Sequence, residues 1–460
     1  MAINKISFIS DSIILKLIKH RFSYLYAIVS ILLFNGANKI IAYNYGNPEG
    51  SWSQNINCLI FYFNVFAFIV LILSLFYKSN RITELKINKK EWFFLFTLAL
   101  ALRISLALLG HNYDLESFEI VADIVLKGNN IYEGTERYNY GPIWAYFLAF
   151  LKLLANIGTY NQKAFHVYIV IALFVAEIFL YFGILKIYKS NFFVFLLLFN
   201  PVSLVLVGHH SQFDIIPICL AFYAAQAIKN QKINTAIILL GLSFCAKHIM
   251  VFYPLFLIFD RKISIINRLK LLVIPSLIFA ISFLPFISAL EPIKKNVLSY
   301  QFNHNQTLLK HLLDIVVPSF VYKTSLIIPF GFLQGYKLIW IALFPILGYY
   351  TAKRQIQNPY FIYLICIVAS SLAISEQYFL IPLLGVLYYR KYIFSWIYLG
   401  LSSYYILFVS YHNTSKYFSL KSMGINIDYE WYQIGFAQIQ LCLALLLLQI
   451  MHKSYKQKPD

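Results

Sequence analysis

Charge is scarce in this chain: Asp, Glu, Lys and Arg together make 12% of 460 residues, while 60% are hydrophobic. A soluble chain of this length would divide into two or three hydrated cores. So few charges could not coat them. Acids are scarcer still, 19 against 38 bases. The net charge of +19 would point to nucleic acid in a soluble protein. Here the bases gather in short loops between apolar runs, where they orient a membrane protein, and no nucleic-acid partner is expected. Cysteine is equally sparse. Cys58, Cys219, Cys245, Cys366 and Cys442 stand singly inside apolar runs without CxxC spacing, which argues against a disulfide framework or a zinc site. They read as small packing residues. No internal repeat or low-complexity domain is evident. The 18% aromatic content and the Ile, Asn, Lys and Tyr bias read as an AT-rich coding sequence and carry little functional weight.

What is abundant is apolar sequence of membrane-spanning length, recurring along the whole chain at a mean hydropathy of +0.68. The class this implies is a polytopic integral membrane protein, an all-α transmembrane bundle of about 11 to 13 helices. One integral membrane domain, 1–460, is expected: an N-terminal segment and two leading spans in 1–91, a core in 92–395, and further spans with a basic tail in 396–460. The start, MAINKISFISDSIILKLIKHR, is too polar for a cleaved signal and reads as a basic cytoplasmic amphipathic segment. Lys16, Lys19 and Arg21 precede a span at 22–42, a second span at 57–77 returns to KSNRITELKINKK, and a third at 92–110 leaves again. That order puts Asp114 and its neighbours on the exoplasmic side. The basic stretches Lys229–Lys232, Arg261–Lys270, Lys353–Arg354, Arg390–Lys391 and Lys453–Lys458 read as cytoplasmic, leaving exoplasmic loops near 209–214, 290–318 and 412–433.

Two stretches do not fit simple crossings. Between the basic loops at 229–232 and 261–270 lie about 28 residues, roughly 40 Å of helix where two crossings need about 60 Å. A hairpin of short helices is predicted over 234–259 with its tip near Lys247–His248, and a similar break around Glu376–Gln377–Tyr378. Broken helices at membrane depth occur where they line a cavity. The second stretch is 141–208, where three apolar runs (142–157, 166–187 and 192–207) connect loops assigned to one side. One run cannot cross fully, and Asn200–Pro201 singles out the last.

The densest polar segment is HNYDLESFEIVADIVLKGNNIYEGTERYNY, residues 111–140. Asp114 follows the end of an apolar helix beside Tyr113 and Glu116, where an aspartate could act as general base on a substrate hydroxyl; a solvated loop acid or helix cap is the plainer reading. Glu119 and Asp123 share a face of a predicted surface helix, 115–127, and read as solvated. Gly128 through Tyr132 reads as a helix stop and turn, and Tyr138, Asn139, Tyr140, Gly141, Pro142, Ile143 and Trp144 as a loop entering a helix; its aromatics could simply anchor at the interface. Arg103, about two turns inside its span, could clamp a lipid phosphate or snorkel. In Gly208-His209-His210-Ser211-Gln212-Phe213-Asp214, His210 and Asp214 would share a helical face, but no third ligand is evident, so hydrogen bonding to a polar substrate is preferred and no metal is assigned. Lys247-His248 stands in an apolar run without a nearby acid in sequence, a costly arrangement unless the lysine meets an anion such as phosphate.

In this order (Arg103, Asp114, Gly128–Tyr132, Tyr138–Trp144, Asn200-Pro201, Gly208–Asp214, Lys247, and Glu376-Gln377-Tyr378-Phe379) the chain resembles the GT-C superfamily of polytopic glycosyltransferases, particularly bacterial mannosyltransferase-like members that use polyprenyl-phosphate sugars. The resemblance covers about 92–395. It implies a GT-C-like helical fold with a helical first exoplasmic loop, and inverting transfer of a hexose, mannose favoured, from a polyprenyl-phosphate monosaccharide to a glycan or lipid acceptor. No cofactor is implied. The family's first-loop aspartate falls on Asp114 as catalytic base; Arg103, Lys247 and His248 would meet the donor phosphate; Glu116, Tyr138, Asn139, Tyr140, His209, His210, Gln212, Asp214, Gln377 and Tyr378 would contact substrate. Many members carry the loop acid after the first span. Here it follows the third, so either the two leading spans are an addition to that pattern or the loop falls elsewhere in the family's fold. The lack of a large soluble domain after the spans favours a glycan, lipid or other small acceptor over a protein.

Three other classes compete. A lipid-linked polysaccharide polymerase or ligase would want a larger late exoplasmic loop than 290–318 or 412–433. A secondary transporter would want ionisable groups at the bilayer centre and repeated halves, and a structural or assembly role remains. A bacterial plasma membrane is the favoured location, the endoplasmic reticulum if the source is eukaryotic. Asn305-Gln306-Thr307 and Asn413-Thr414-Ser415 are sequons of a kind common by chance in Asn-rich chains.

Overall fold

Asparagine side chains cap the start of five of the described helices. In the computed structural model the side chains of Asn88, Asn112, Asn130, Asn161 and Asn200 each accept a backbone N–H at the start of a helix. Each satisfies a donor that the helix cannot satisfy internally, an effect of about 1 kcal/mol. The asparagine content therefore has a structural use beyond codon bias. Asn88 forms a full capping box with Glu91, both bonds at 2.9 Å.

The structure describes residues 87–157, 160–298, 308, 335–371, 374–406 and 429–456, all within the compact unit Ala67–Asp460. The two leading spans and both sequons lie outside the described residues, as do most of the loops at 290–318 and 412–433. The described residues are all-helical, with no strand: α1 (Lys89–Leu109), α2 (Tyr113–Leu126), α3 (Ile131–Gly134), α4 (Pro142–Ala155), α5 (Gln162–Tyr188), α6 (Asn191–Phe199), α7 (Pro201–Gly208), α8 (Ile215–Lys229), α9 (Ile233–Ala246), α10 (Tyr253–Phe256), α11 (Ile265–Ile281), α12 (Leu290–Ile293), α13 (Gly335–Lys353), α14 (Pro359–Ala369), α15 (Leu383–Tyr388), α16 (Ile393–Tyr404) and α17 (Tyr429–Lys456). Short 3₁₀ turns at His248–Met250, Leu284–Ala289 and Glu376–Leu380 interrupt the order.

Three segments, Lys89–Leu108, Gln162–Tyr188 and Gly435–Ser454, are long and apolar enough to cross a membrane singly. Two bent pairs raise this to five: α6 with α7, bent by 50° at Asn200–Pro201, and Ile265–Ile281 with Leu284–Val297, bent by 69°. The first bend lies at the dipeptide singled out in the sequence. Proline lacks the amide needed to continue the helix and disfavours helical geometry at Asn200, whose side chain caps the next segment at Val202 N, 2.9 Å away. Other apolar stretches form helices of 10–17 residues. Hydropathy counts a run as a span whether it is one helix or two short ones, so the expectation of about 11 to 13 spanning helices exceeds what the described residues contain.

Packing brings several of the polar segments into contact, the 209–214 turn meeting Asp114, Lys247 and Glu376. α1 lies against α5 and α7, α2 against α4, and α8 against α9, which packs on α11. Gly128, at φ 71°, closes α2 as anticipated, with Gly128 N bonded to Val125 O and Asn129 N to Ile124 O. Trp144 is buried and stacks on Phe213 at 4.3 Å between ring centroids, with Phe118 edge-on to both. This aromatic knot ties α2, α4 and the 209–214 turn together. An interfacial role for Trp144 is therefore excluded by burial.

Gly141 permits the closest of these approaches. A methyl group there would stand 2.0 Å from the Cys245 carbonyl oxygen, so the start of α4 and the end of α9 would have to part. We expect Gly141→Ala to cost about 1–3 kcal/mol or more. Gly400→Ala, where nothing lies within 4 Å, is expected to be neutral or stabilising by up to about 1 kcal/mol. Thermal denaturation of the two variants checks the contrast; equal midpoints would refute it.

Candidate active site

Asp114 occupies the first turn of α2, where its charge is favoured by the helix dipole. Asn112 grips it twice: Asn112 Oδ1 accepts from Asp114 N and Asn112 Nδ2 donates to Asp114 Oδ2, both at 3.1 Å. Gln212 Nε2 also donates to Asp114 Oδ2. The carboxylate is half-buried, which is the exposure a general base needs if it is to be both oriented and reachable.

The turn that delivers Gln212 is not helical. Residues 209–214 run as bends and turns, with Ser211 at φ 54°, a left-handed conformation unusual for serine. The helical pairing of His210 with Asp214 expected from their spacing is therefore absent, and the two side chains find different partners. His210 Nδ1 lies 4.0 Å from Glu376 Oε2. Asp214 takes Lys247 Nζ on both carboxylate oxygens at 2.8 Å. His209 is buried against Gly110 and His111; burial first, and His111 second, push its imidazole down to about 4 and keep it neutral. Buried on the same turn, His209 Nδ1, Ser211 Oγ and Gln212 Oε1 have no hydrogen-bond partner among the described residues. Most buried polar atoms in native proteins are satisfied. Three exceptions on one turn, next to a carboxylate, indicate a surface built to receive polar groups.

Several sequence assignments are corrected by these contacts. Arg103 is fully buried and has no donor left for a phosphate. Its Nε lies 2.8 Å from Glu177 Oε2, its Nη2 donates to Glu177 Oε1 and Ser203 Oγ at 3.1 and 2.9 Å, and its Nη1 donates to the Ala99 and Leu198 carbonyls. Ser203 Oγ in turn donates to Glu177 Oε1 at 2.6 Å. Lys247 does have an acid, Asp214, and sits 5.1 Å from the ring centres of both Tyr140 and Phe213. Its charge is neutralised internally, so neither Lys247 nor Asp214 offers a free group to substrate. His248 is half-buried beside Phe279, ring centroids 6.4 Å apart. The buried Tyr138 hydroxyl donates to Gly141 O at 2.5 Å and accepts from Ala145 N at 3.0 Å. Burial raises its pKa, and it is a strut for the loop rather than a substrate contact.

Of the remaining expected residues, Asn139, Tyr140, Gln377 and Tyr378 are half-buried and Glu116 is exposed. Glu119 and Asp123 do not form a bare solvated face. Lys152 of α4 sits 2.8 Å from Asp123 and 3.7 Å from Glu119, and Glu119 also accepts from Tyr160 and from Gln162 at 2.8 Å. Two polar residues escaped the sequence reading, Glu177 and Arg137, while Glu376 was read as part of a helix break without a role of its own. Arg137 lies over the Tyr113 ring at 3.5 Å and 3.7 Å from Glu116, with Nε and Nη2 sheltered from solvent and without hydrogen-bond partners. Its position inside the polar 111–140 segment was the available signal.

No protein-family model matches the chain, and no curated protein matches it. No group of three or more His, Cys, Asp or Glu side chains suited to a metal ion occurs among the described residues.

Proposed function

We propose that the protein is a membrane-embedded inverting glycosyltransferase of GT-C type that uses a lipid-phosphate sugar, with Asp114 as base. The observation that carries the reading is the Asp114 carboxylate, oriented by Asn112 and Gln212 beside the unsatisfied polar atoms of the 209–212 turn. Membrane placement is supported by the spanning helices and by large apolar side chains on outward faces, such as Phe179 and Phe182 of α5 and Leu277 and Ile281 of α11, each more than half exposed.

In this mechanism an acceptor hydroxyl gives its proton to Asp114 as its oxygen forms a bond to the anomeric carbon. The bond from that carbon to the phosphate oxygen breaks on the opposite face, and its electron pair leaves with the lipid phosphate. A phosphate leaving group needs positive charge rather than a proton. With Arg103 and Lys247 internally paired, that role passes to Arg137, the cation beside Tyr113 with donors to spare. Arg137→Gln is expected to raise KM for the donor about tenfold or more, from loss of a charge-assisted contact; an unchanged KM would remove Arg137 from the site.

The test of the reading is transfer by the purified full chain from radiolabelled polyprenyl-phosphate hexoses to a membrane lipid or glycan extract. Product formation supports it, and no product with any donor refutes it. One observation favours a transporter: the Arg103–Glu177 pair lies midway along α5, where an ion pathway would place charges. The pair is closed by Ser203 and two carbonyls, which suits a structural lock better than a relay. Uptake of labelled sugar into proteoliposomes without transfer would favour the transporter.

A further inference from the structure

Two basic segments that are remote in sequence meet, together with the last helix, around one cavity of 560 Å³. Its walls come from the end of α13 and the following loop (Lys353, Arg354, Gln355, Ile356, Gln357), from the end of α15 and start of α16 (Tyr388, Tyr389, Lys391, Tyr392), and from α17 (Ile450, Ser454). No Asp or Glu is among these lining residues. Lys391 and Lys453 crowd the same ring, 5.2 and 5.0 Å from the Tyr392 centre. Helix C-termini attract cations, but two of them, α13 and α15, supply only about half a negative charge each. Three bases line the cavity, Lys353, Arg354 and Lys391, the first and last of them exposed.

The loop leaves α13 through a left-handed helix cap, with Gln355 at φ 50° and Ile356 N donating to Thr351 O at 2.9 Å. Tyrosines from α15 and its end pin the loop: Asn358 Nδ2 donates to Tyr388 Oη at 2.6 Å, and Tyr389 Oη donates to Gln357 O at 3.0 Å. A loop held in place by two tyrosine hydroxyls, with bases on its rim, is preorganised for a compact anion.

We infer that the cavity between the ends of α13, α15 and α17 is a binding site for a phosphate ester, held by Lys353, Arg354 and Lys391. Its chemistry fits the phosphodiester or phosphomonoester of an anionic lipid headgroup, or a free phosphate. The site does not depend on the catalytic reading, because its lining includes none of the residues assigned around Asp114.

The test uses the purified full chain in detergent, with binding of short-chain phosphatidic acid and phosphatidylcholine measured by native mass spectrometry. Lys353→Gln/Lys391→Gln removes two exposed rim charges and is expected to weaken phosphatidic acid binding about 10- to 30-fold. Lys127→Gln/Lys163→Gln, two exposed lysines at α2 and α5, removes the same charge elsewhere and is expected to change nothing. Displacement by millimolar inorganic phosphate assigns the site to a free phosphate, and retention of the lipid assigns it to a headgroup; both sustain the proposal. Equal binding of phosphatidylcholine, or equal loss in both variants, overturns it. Sugar transfer in the same preparations reports on Asp114 separately.

Discussion

Asp114→Asn is expected to lower sugar transfer by about 10²- to 10⁴-fold, the usual contribution of a general base. Asparagine keeps the shape and can still accept from Asp114's own capping partner, Asn112 Nδ2, so α2 should begin where it does now. What is lost is the negative charge and the basic lone pair. Because the contribution arises in the transition state, the loss should fall on kcat, with donor KM little changed. Measured initial rates at saturating donor decide the matter. A variant that transfers at the wild-type rate would keep the reaction class and remove Asp114 as base. A variant whose KM rises with kcat intact would make Asp114 a binding residue. Gln212→Leu provides a companion measurement, since it removes the donor to Asp114 Oδ2 while leaving the carboxylate; a smaller loss in kcat identifies Gln212 as a positioning residue.

The second large effect concerns stability. Glu177→Ala strands the Arg103 guanidinium at zero exposure with its principal counter-charge gone. Breaking a buried pair from one side costs about 3–5 kcal/mol, because the remaining charge stays desolvated. Replacing both, as Arg103→Met/Glu177→Leu, is expected to be nearly neutral, since the desolvation cost disappears with the attraction. Thermal denaturation in one detergent, followed by helical signal, measures all three proteins. A Glu177→Ala midpoint equal to wild type would show that the pair bears no load. The lock also has a positional consequence. Arg103 ties α1 to α5 through Glu177, to α6 through the Leu198 carbonyl and to α7 through Ser203. α7 runs directly into the turn carrying His209 and Gln212, and the α1–α7 contact is so close that a methyl group on Gly208 would lie 2.9 Å from the Arg103 backbone. Loosening this junction would move the groups that face Asp114.

These two sites differ in how readable they were. Asp114 and Gln212 stood out because each lies in a polar segment between apolar runs, a contrast visible without any fold. Arg103 and Lys247 were equally visible as charges, yet both were assigned to a phosphate. The reason is that their acids lie 74 and 33 positions away along the chain, at separations no local pattern reports. Glu177 was invisible for a related reason, since one acid inside a 27-residue apolar helix carries no partner in its own neighbourhood. Tyr138 and Trp144 look the same in sequence whether they anchor at an interface or fill a core. Only burial distinguishes them.

What the sequence determined by itself was whatever depends on neighbouring residues. Helix starts at the Asn caps, the stop at Gly128, the bend at Asn200–Pro201 and the breaks near Lys247 and Glu376 follow from backbone sterics and hydrogen bonding within a turn or two. The all-helical character follows from apolar runs too long and too poor in turns for anything else. The tertiary structure alone decided which charges are spent inside the protein and which stay partly exposed. Charge pairing depends on distance in space, and chain packing brings Asp114 to Gln212, Asp214 to Lys247 and Arg103 to Glu177. The same packing brings Lys353, Arg354 and Lys391, on segments unremarkable apart, to a single cavity.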